Sequence, residues 1–162
     1  MHYLVDGYNF VFRLGRKNKK NFQALREEFI KKFSHYVEKH NLHVTLVFDG
    51  KDLPSGSYTR GNWKNIEVVY THHGLTADAY LLDQITHFKK AASITIVTSD
   101  KQLAIHARVQ GSHVMSVEDF MQFLVHKEHK KHPQSEKPVI RDTGFHFDRL
   151  LKIFEEKLKN EE

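Results

Sequence analysis

Three apolar segments of this chain each end in an aspartate, a residue type that binds metal ions and transfers protons. One such ending is ordinary, because aspartate suits tight turns and helix N-caps. Its recurrence at three segment ends favours a shared chemical site. The segments are 3–5, 44–48 and 93–99, and the aspartates that follow them are Asp6, Asp49 and Asp100.

Clustered carboxylates supply the oxygen ligands that hard divalent cations such as Mg²⁺ or Mn²⁺ prefer, and they suit zinc less well. One such ion, or a pair about 4 Å apart, can activate water and stabilise the leaving oxygen of a phosphodiester. The candidate chemistry is therefore metal-assisted hydrolysis, provided that the fold brings the aspartates together.

The elements that must position these aspartates alternate between strands and helices. This alternation predicts an α/β fold, a three-layer α/β/α sandwich around a central, mainly parallel sheet. In such sheets the functional crevice lies at the carboxyl ends of the strands, where the strand order reverses. The predicted strands are 3–5, 44–48, 66–70, 93–99 and 113–115, and the predicted helices are 22–37, 76–88, 103–109 and 117–125.

A fourth aspartate, Asp78, is predicted to open onto the same edge. Thr76 is a natural N-cap, which places Asp78 in the first turn of a helix that follows a strand. The helix dipole alone favours an acid there, so this position also has a purely structural explanation. Four carboxylates on one rim repel each other unless a cation neutralises them. The expected metal-binding set is Asp6, Asp49, Asp78 and Asp100.

Positive charge is expected to flank this rim, and the net charge of +5 favours a polyanionic partner. A basic loop follows the first strand, and a polar loop spans residues 51–65. Aromatic residues nearby, Tyr8, Tyr58 and Trp63, could stack on bases, although packing explains such aromatics more often. The residues expected to contact RNA phosphates are Arg13, Arg16, Lys17, Lys19, Lys20, Arg60 and Lys64.

Length and composition predict one main domain with a substantial core, since the 162 residues are 40% hydrophobic. The chain has no cysteine, which excludes disulfides and thiolate metal sites, and we expect a cytoplasmic protein. No segment approaches a membrane span and no signal sequence is expected, so membrane association is not predicted.

The composition changes after residue 125. Residues 126–142 are rich in His and Lys and contain two prolines, which predicts a basic linker rather than a metal-binding tract. Residues 143–162 carry apolar residues at helical spacing, which predicts a C-terminal amphipathic helix. The expected nuclease-like domain is therefore residues 1–125, and the tail is expected to be dispensable for its folding.

Four short motifs, in this order and spacing, resemble the YacP-like NYN family of PIN-like ribonucleases. They are Leu4–Asn9, Val47–Gly50, Gly74–Asp78 and Val97–Asp100, and the resemblance covers about residues 1–125. It implies a PIN-like fold in which the strands carrying the first and last aspartates are neighbours. The implied activity is metal-dependent endoribonuclease cleavage, in some members on ribosome-associated mRNA. The implied catalytic residues are Asp6, Asn9, Asp78 and Asp100, with Asp49 at a further matching position.

Other functions remain open from the sequence. A noncatalytic RNA- or ribosome-binding module would keep the fold and use the acids structurally. Aspartyl phosphotransfer is disfavoured, because Tyr8 stands where a second aspartate would be needed. A dinucleotide-binding site is disfavoured because no glycine-rich turn follows the first strand.

One position departs from the family pattern, since related sequences often carry an acid where this chain has Leu75.

Overall fold

The computed structural model of the protein describes residues 1–14, 22–50, 59–88 and 90–131. The strands in these residues form one six-stranded sheet. They are β1 (His2–Asp6), β2 (His43–Phe48), β3 (Thr59–Trp63), β4 (Ile66–Tyr70), β5 (Ile94–Val97) and β6 (His113–Met115). The strand order is β3-β4-β2-β1-β5-β6, and only the β3–β4 pair is antiparallel.

Helices of the described residues cover both faces of this sheet, namely α1 (Gly7–Leu14), α2 (Phe22–Lys39), α3 (Ala77–His87) and α4 (Lys101–Val109). A further described helix, α5 (Val117–Lys131), follows β6 in the chain. A short 3₁₀ turn at Ala91–Ser93 precedes β5. The predicted α/β sandwich with a mainly parallel sheet is confirmed.

Alternating strand residues divide the core into two layers, because successive side chains of a strand point to opposite faces. On one face, Val47 and Val69 belong to an apolar cluster that includes Leu81 of α3 and Leu103 of α4. On the other face, α1 and α2 pack through aromatic rings. The Phe10 ring lies 5.1 Å from that of Phe29 and 5.4 Å from that of Phe33.

The strand order reverses beside β1, which pairs with β2 on one side and with β5 on the other. The chain first runs outward from β1 through β2 to β4 and then returns to β5. The carboxyl ends of β1 and β5 therefore flank the reversal, where α/β folds place their functional crevices. Asp6 is the last residue of β1, and Asp100 lies just beyond β5.

The Asp6-Gly7 sequence was predicted to form a turn followed by a loop, and this is wrong, because α1 begins at Gly7. The Asp6 carboxylate accepts a hydrogen bond from the Asn9 backbone N–H at 3.1 Å, as an N-cap does. Gly7 is needed because any Cβ there would overlap the Phe48 ring. Close packing, rather than turn geometry, explains this glycine.

Residues 51–65 were predicted to form one polar loop, and this is also wrong, because 59–63 form the edge strand β3. β3 pairs with β4 through a tight turn at Lys64 and Asn65, where Lys64 has a left-handed φ of 54°. The Thr-Arg-Gly-Asn-Trp segment lacks the apolar alternation that signals a strand. Residues 51–58 lie outside the described part of the chain.

The chain divides into two compact units, Met1–Val117 and Glu118–Glu162. α5 continues to Lys131, so residues 126–131, which were predicted to be linker, are helical. Lysine is compatible with a helix, and the first proline comes only at Pro133. The rest of the predicted linker and the predicted terminal helix lie outside the described residues. None of the described helices has the length and apolar character needed to cross a bilayer.

Candidate active site at the carboxyl edge of the sheet

Asp6 is the most buried of the predicted acids, with 4% of its surface exposed. Both of its carboxylate oxygens accept hydrogen bonds. Asn9 donates its backbone N–H to Oδ1 and its side-chain amide to Oδ2, and Thr98 donates its hydroxyl to Oδ2 at 3.4 Å. Burial raises the pKa of Asp6, the bonds from Asn9 and Thr98 act to lower it, and the Asp49 charge raises it further.

Thr98 links Asp6 to the start of α4. Its hydroxyl also accepts hydrogen bonds from the Asp100 backbone N–H at 3.0 Å and from the Asn9 amide at 3.4 Å. One hydroxyl has one hydrogen and two lone pairs, so these contacts use its full capacity. Thr98 had no predicted role, although it lies inside the Val97–Asp100 motif. Its role depends on the β1–β5 pairing.

Asp100 caps the helix that follows β5. Its Oδ1 accepts hydrogen bonds from the backbone N–H groups of Gln102 at 2.7 Å and Leu103 at 3.0 Å. Both capping bonds end on Oδ1, so capping does not use the lone pairs of Oδ2. Asp100 therefore has a structural role in α4 that is compatible with a second role at the edge.

Asp49 holds the start of α3 against the end of β2. Its Oδ1 accepts a hydrogen bond from the Ala77 backbone N–H at 2.6 Å. The next residue, Gly50, donates its N–H to the Thr71 hydroxyl at 3.2 Å, and a Cβ at Gly50 would collide with the Thr71 carbonyl. Tyr8 donates its hydroxyl to the Asp49 carbonyl at 3.3 Å. Asp49 thus fixes the helix that carries Asp78.

Asp78 lies half-buried in the first turn of α3, as predicted. The N-cap of this helix is Thr76, whose hydroxyl accepts a hydrogen bond from the Ala79 N–H at 3.1 Å. Its pKa is raised to about 6. Burial is the largest cause, and the negative charges of Asp6, Asp100 and Asp49 follow. Asp78 therefore lies close enough to the other three predicted acids for their negative charges to act on it.

The donor set has the chemistry that a hard divalent cation requires, since it consists of carboxylates and an amide. The raised pKa of Asp78 records negative charge that a cation would neutralise. Within the described residues, however, no three His, Asp or Glu side chains are grouped as a ready metal site. The residues therefore fit a cation by charge and ligand type, but not by a close grouping of three ligands.

Two predicted RNA-binding residues form ion pairs with acids elsewhere in the fold. Arg60 of β3 pairs with Glu67, and the Lys64 ammonium lies 2.9 Å from a Glu38 carboxylate oxygen. Because β3 is antiparallel, Trp63 pairs with Ile66 at the amino end of β4. The prediction that Lys64 and Trp63 flank the acids is therefore wrong, since they lie at the opposite edge of the sheet.

The remaining predicted contacts are only partly described. Arg13 belongs to α1, but its side chain lies outside the described part, and so do Tyr58 and the basic residues Arg16, Lys17, Lys19 and Lys20. Tyr8 does lie at the acidic edge of the sheet, which is formed by Asp6, Asp49, Asp78 and Asp100. Its ring packs edge-to-face on the Phe48 ring, with the ring centres 5.5 Å apart. Leu75, the departure from the family pattern, packs against the apolar cluster on the α3 face.

Comparison with known proteins identifies the class. The chain belongs to the YacP-like NYN domain family, whose model matches residues 3–161 and so extends beyond the motifs recognised in the sequence. Two crystal structures of Rae1 (YacP) from Bacillus subtilis share the fold. One is 24% identical with a TM-score of 0.62, covering 99% of this chain and 85% of that chain. The other, of the W164L mutant, is 23% identical with a TM-score of 0.63, covering 80% and 79%. No curated protein matches the sequence.

Proposed function

We propose that this protein is a divalent-metal-dependent endoribonuclease that hydrolyses RNA phosphodiester bonds at the carboxyl edge of its sheet. The observation that carries the proposal is the placement of four acids: Asp6, Asp49 and Asp100 lie at or just beyond the carboxyl ends of β1, β2 and β5, and Asp78 lies in the first turn of α3. The charges of the other three help to raise the pKa of Asp78. Perturbed titration in a cluster of like charges is typical of catalytic sites. Membership of the NYN family is consistent with a nuclease-like, RNA-related hydrolase.

In this proposal Asp6, Asp78 and Asp100 hold Mg²⁺ or Mn²⁺, and Asp49 and Asn9 assist through water or hydrogen bonds. The bound ion would activate water and stabilise the leaving oxygen. The chain's own contribution is orientation. Asn9 and Thr98 fix the Asp6 carboxylate with hydrogen bonds, and Asp49 fixes the first turn of α3, which carries Asp78.

The substrate and its setting are finer parts of the same proposal. The substrate is RNA, specifically mRNA on ribosomes, and the protein works in the cytoplasm. The phosphates of the RNA are contacted by Arg13 at the end of α1 and by the basic residues after it, Arg16, Lys17, Lys19 and Lys20, with Arg60 as a further contact. The supporting facts are the high positive charge of residues 13–20 and the family of the chain.

The test is cleavage of single-stranded RNA by the purified protein with Mn²⁺, with Mg²⁺ and with EDTA. We expect cleavage only with metal, and loss of it in Asp6→Asn and Asp100→Asn, which keep the shape of each side chain. Asp83→Asn is the control, because Asp83 lies on α3 as Asp78 does but pairs with His87 in an exposed position. Equal cleavage by wild type and the Asp6→Asn/Asp100→Asn double variant would refute the proposal.

A second candidate is a noncatalytic RNA- or ribosome-binding module. The observation in its favour is that Asp49 and Asp100 both bond to the starts of helices, which is a structural use of acids. This candidate predicts RNA binding without cleavage under any metal condition. It also predicts that Asp49→Ala and Asp100→Ala lower stability without changing RNA affinity.

A further inference from the structure

Arg26 occupies a position of α2 where an apolar residue would be expected. Ile30, Phe33 and Val37 follow it at helical spacing on the face buried against the sheet, and Arg26 itself is only 8% exposed. Burying a guanidinium is costly unless it is paired with an anion or well hydrogen-bonded. Its location therefore calls for an explanation in terms of what it binds.

The Arg26 guanidinium lies on two aromatic rings at the carboxyl edge of the sheet. Its central carbon is 4.9 Å from the Tyr70 ring centre and 5.8 Å from the Phe48 ring centre. Tyr70 ends β4 and Phe48 ends β2, directly before Asp49. The Phe48 ring also touches Gly7, the residue after Asp6. Arg26 thus lies one aromatic ring away from the acidic edge.

The Arg26 Nε atom is buried without a hydrogen-bond partner in the described residues. The ion pairs Arg60–Glu67, Lys64–Glu38 and His87–Asp83 involve other residues. Contacts with the Tyr70 and Phe48 rings offset part of the desolvation cost, because a ring face attracts a cation. They do not satisfy the Nε–H group, which retains the capacity to donate to an anion.

We propose that Arg26, seated on Tyr70 and Phe48, binds a backbone phosphate of the RNA strand next to the acidic edge. This inference rests on the proposed function. A planar guanidinium donates two parallel hydrogen bonds to a phosphate, and this pairing is both strong and geometrically selective. Carboxylates at the same edge repel a polyanion, so a fixed cation beside them attracts and aligns the strand. Tyr70 is partly exposed, so the aromatic platform reaches the surface.

The test measures RNA binding without cleavage. The dissociation constant of a short fluorescein-labelled single-stranded RNA is followed by anisotropy in EDTA over a series of salt concentrations. Arg26→Met removes the charge and keeps much of the side-chain volume. We expect binding about tenfold weaker, as for the loss of one charge-assisted contact. The log-log salt slope should also become shallower by about 0.7.

Two further variants separate charge from geometry. Arg26→Lys keeps the charge but not the paired hydrogen bonds, so its affinity should fall between those of wild type and Arg26→Met, with the wild-type salt slope. Arg108→Met is the matched control, because Arg108 is exposed near the end of α4 that lies away from Asp100, and it should bind as wild type does. An Arg26→Met protein with wild-type affinity overturns the inference.

Stability distinguishes binding from packing. If Arg26 exists to bind phosphate, Arg26→Met should keep or raise the urea midpoint, because an uncompensated buried charge is removed. A lower midpoint with unchanged RNA affinity would assign Arg26 to packing alone and overturn the inference. Inorganic phosphate is tested as a second ligand, by its effect on stability. A stabilisation by phosphate that depends on Arg26, with RNA affinity independent of Arg26, would identify free phosphate as the ligand and also overturn it.

Failure of this inference and failure of the proposed activity give different results, because binding is measured without metal. If wild type cleaves RNA and Arg26→Met binds RNA as tightly as wild type does, only the role of Arg26 is refuted. If wild type binds RNA through Arg26 but cleaves no RNA, the nuclease activity is refuted and the phosphate site remains. Wild type that does not bind RNA overturns the role of Arg26.

Discussion

The Thr98 hydroxyl donates a hydrogen bond to the Asp6 carboxylate across the β1–β5 pair, although 92 positions separate the two residues. The same hydroxyl accepts from the Asp100 backbone N–H. One buried side chain thus joins the acids that end two neighbouring strands. The geometry of the acidic edge therefore depends on a residue that carries no charge.

Replacing Thr98 should disturb this edge in a defined way. Thr98→Val keeps the shape but leaves an Asp6 oxygen and the Asp100 N–H each with one partner fewer, at a cost of about 1–3 kcal/mol. RNA cleavage should fall more than stability predicts, because Asp6 loses an orienting contact. Thr98→Ser keeps the hydroxyl and should retain most activity. The checks are urea unfolding and initial cleavage rates, and equal rates for the Val and Ser variants would exclude this role.

The sequence was sufficient to predict which acids meet, because apolar segments that end in Asp are read locally and parallel strands share one edge. The Asp6–Thr98 contact could not be predicted, since it requires the register of two distant strands. Arg26 lies in the predicted helix 22–37, and no role was predicted for it, because its burial is visible only in the structure. α1 was missed because Asp6-Gly7 is typical of a turn, whereas the glycine is required by the Phe48 ring.

The contact between Gly7 and Phe48 should make Gly7→Ala destabilising by about 1–3 kcal/mol through overpacking. A Cβ at Gly7 would overlap the Phe48 ring, whereas a Cβ at Gly61 meets no atom within 4 Å. Gly61→Ala is therefore the matched control and should leave stability nearly unchanged. Both are measured by urea unfolding. Phe48→Leu should partly rescue Gly7→Ala, and an absence of rescue would argue against this contact as the cause.

The ion pair between Lys64 and Glu38 lies away from the acids, so Lys64→Ala should leave RNA affinity unchanged. The pair is exposed, and its loss should cost less than about 1 kcal/mol. Anisotropy with single-stranded RNA and thermal unfolding are the two measurements. A marked loss of RNA affinity in Lys64→Ala would mean that RNA extends to the amino edge of the sheet.

The raised pKa of Asp78 predicts how stability depends on pH in the metal-free protein. The folded state holds this proton up to about pH 6, whereas the unfolded state releases it near the ordinary value of 3.8. The free energy of unfolding should therefore fall as pH rises through that window, because the folded state binds more protons there. Asp78→Asn should stabilise the protein above this window and have little effect below it.

Since Asp78 is only half-buried, solvent screening limits this gain to about 1 kcal/mol. The measurement is urea unfolding in EDTA at several pH values. Asp83→Asn, on the exposed part of the same helix, should show no such dependence. A gain that does not change with pH would assign the effect of Asp78→Asn to helix propensity or packing.

Mn²⁺ should stabilise the folded protein if the four acids share it, because a ligand that binds only the folded state raises the free energy of unfolding. The gain is about 2.7 kcal/mol when the ion is present at about 100 times its dissociation constant. Asp6→Asn and Asp100→Asn should lose this gain. Asp100→Asn keeps the oxygen that caps α4, so in EDTA it should be at least as stable as wild type, because like-charge repulsion is relieved. Asp6→Asn replaces an accepting oxygen by an N–H donor and so loses hydrogen bonds as well as charge. Asp83→Asn should respond to Mn²⁺ as wild type does.

Equal stabilisation of wild type and the Asp6→Asn/Asp100→Asn variant would place the ion elsewhere. If Asp100→Asn is less stable than wild type in EDTA, this acid serves the fold rather than a cation.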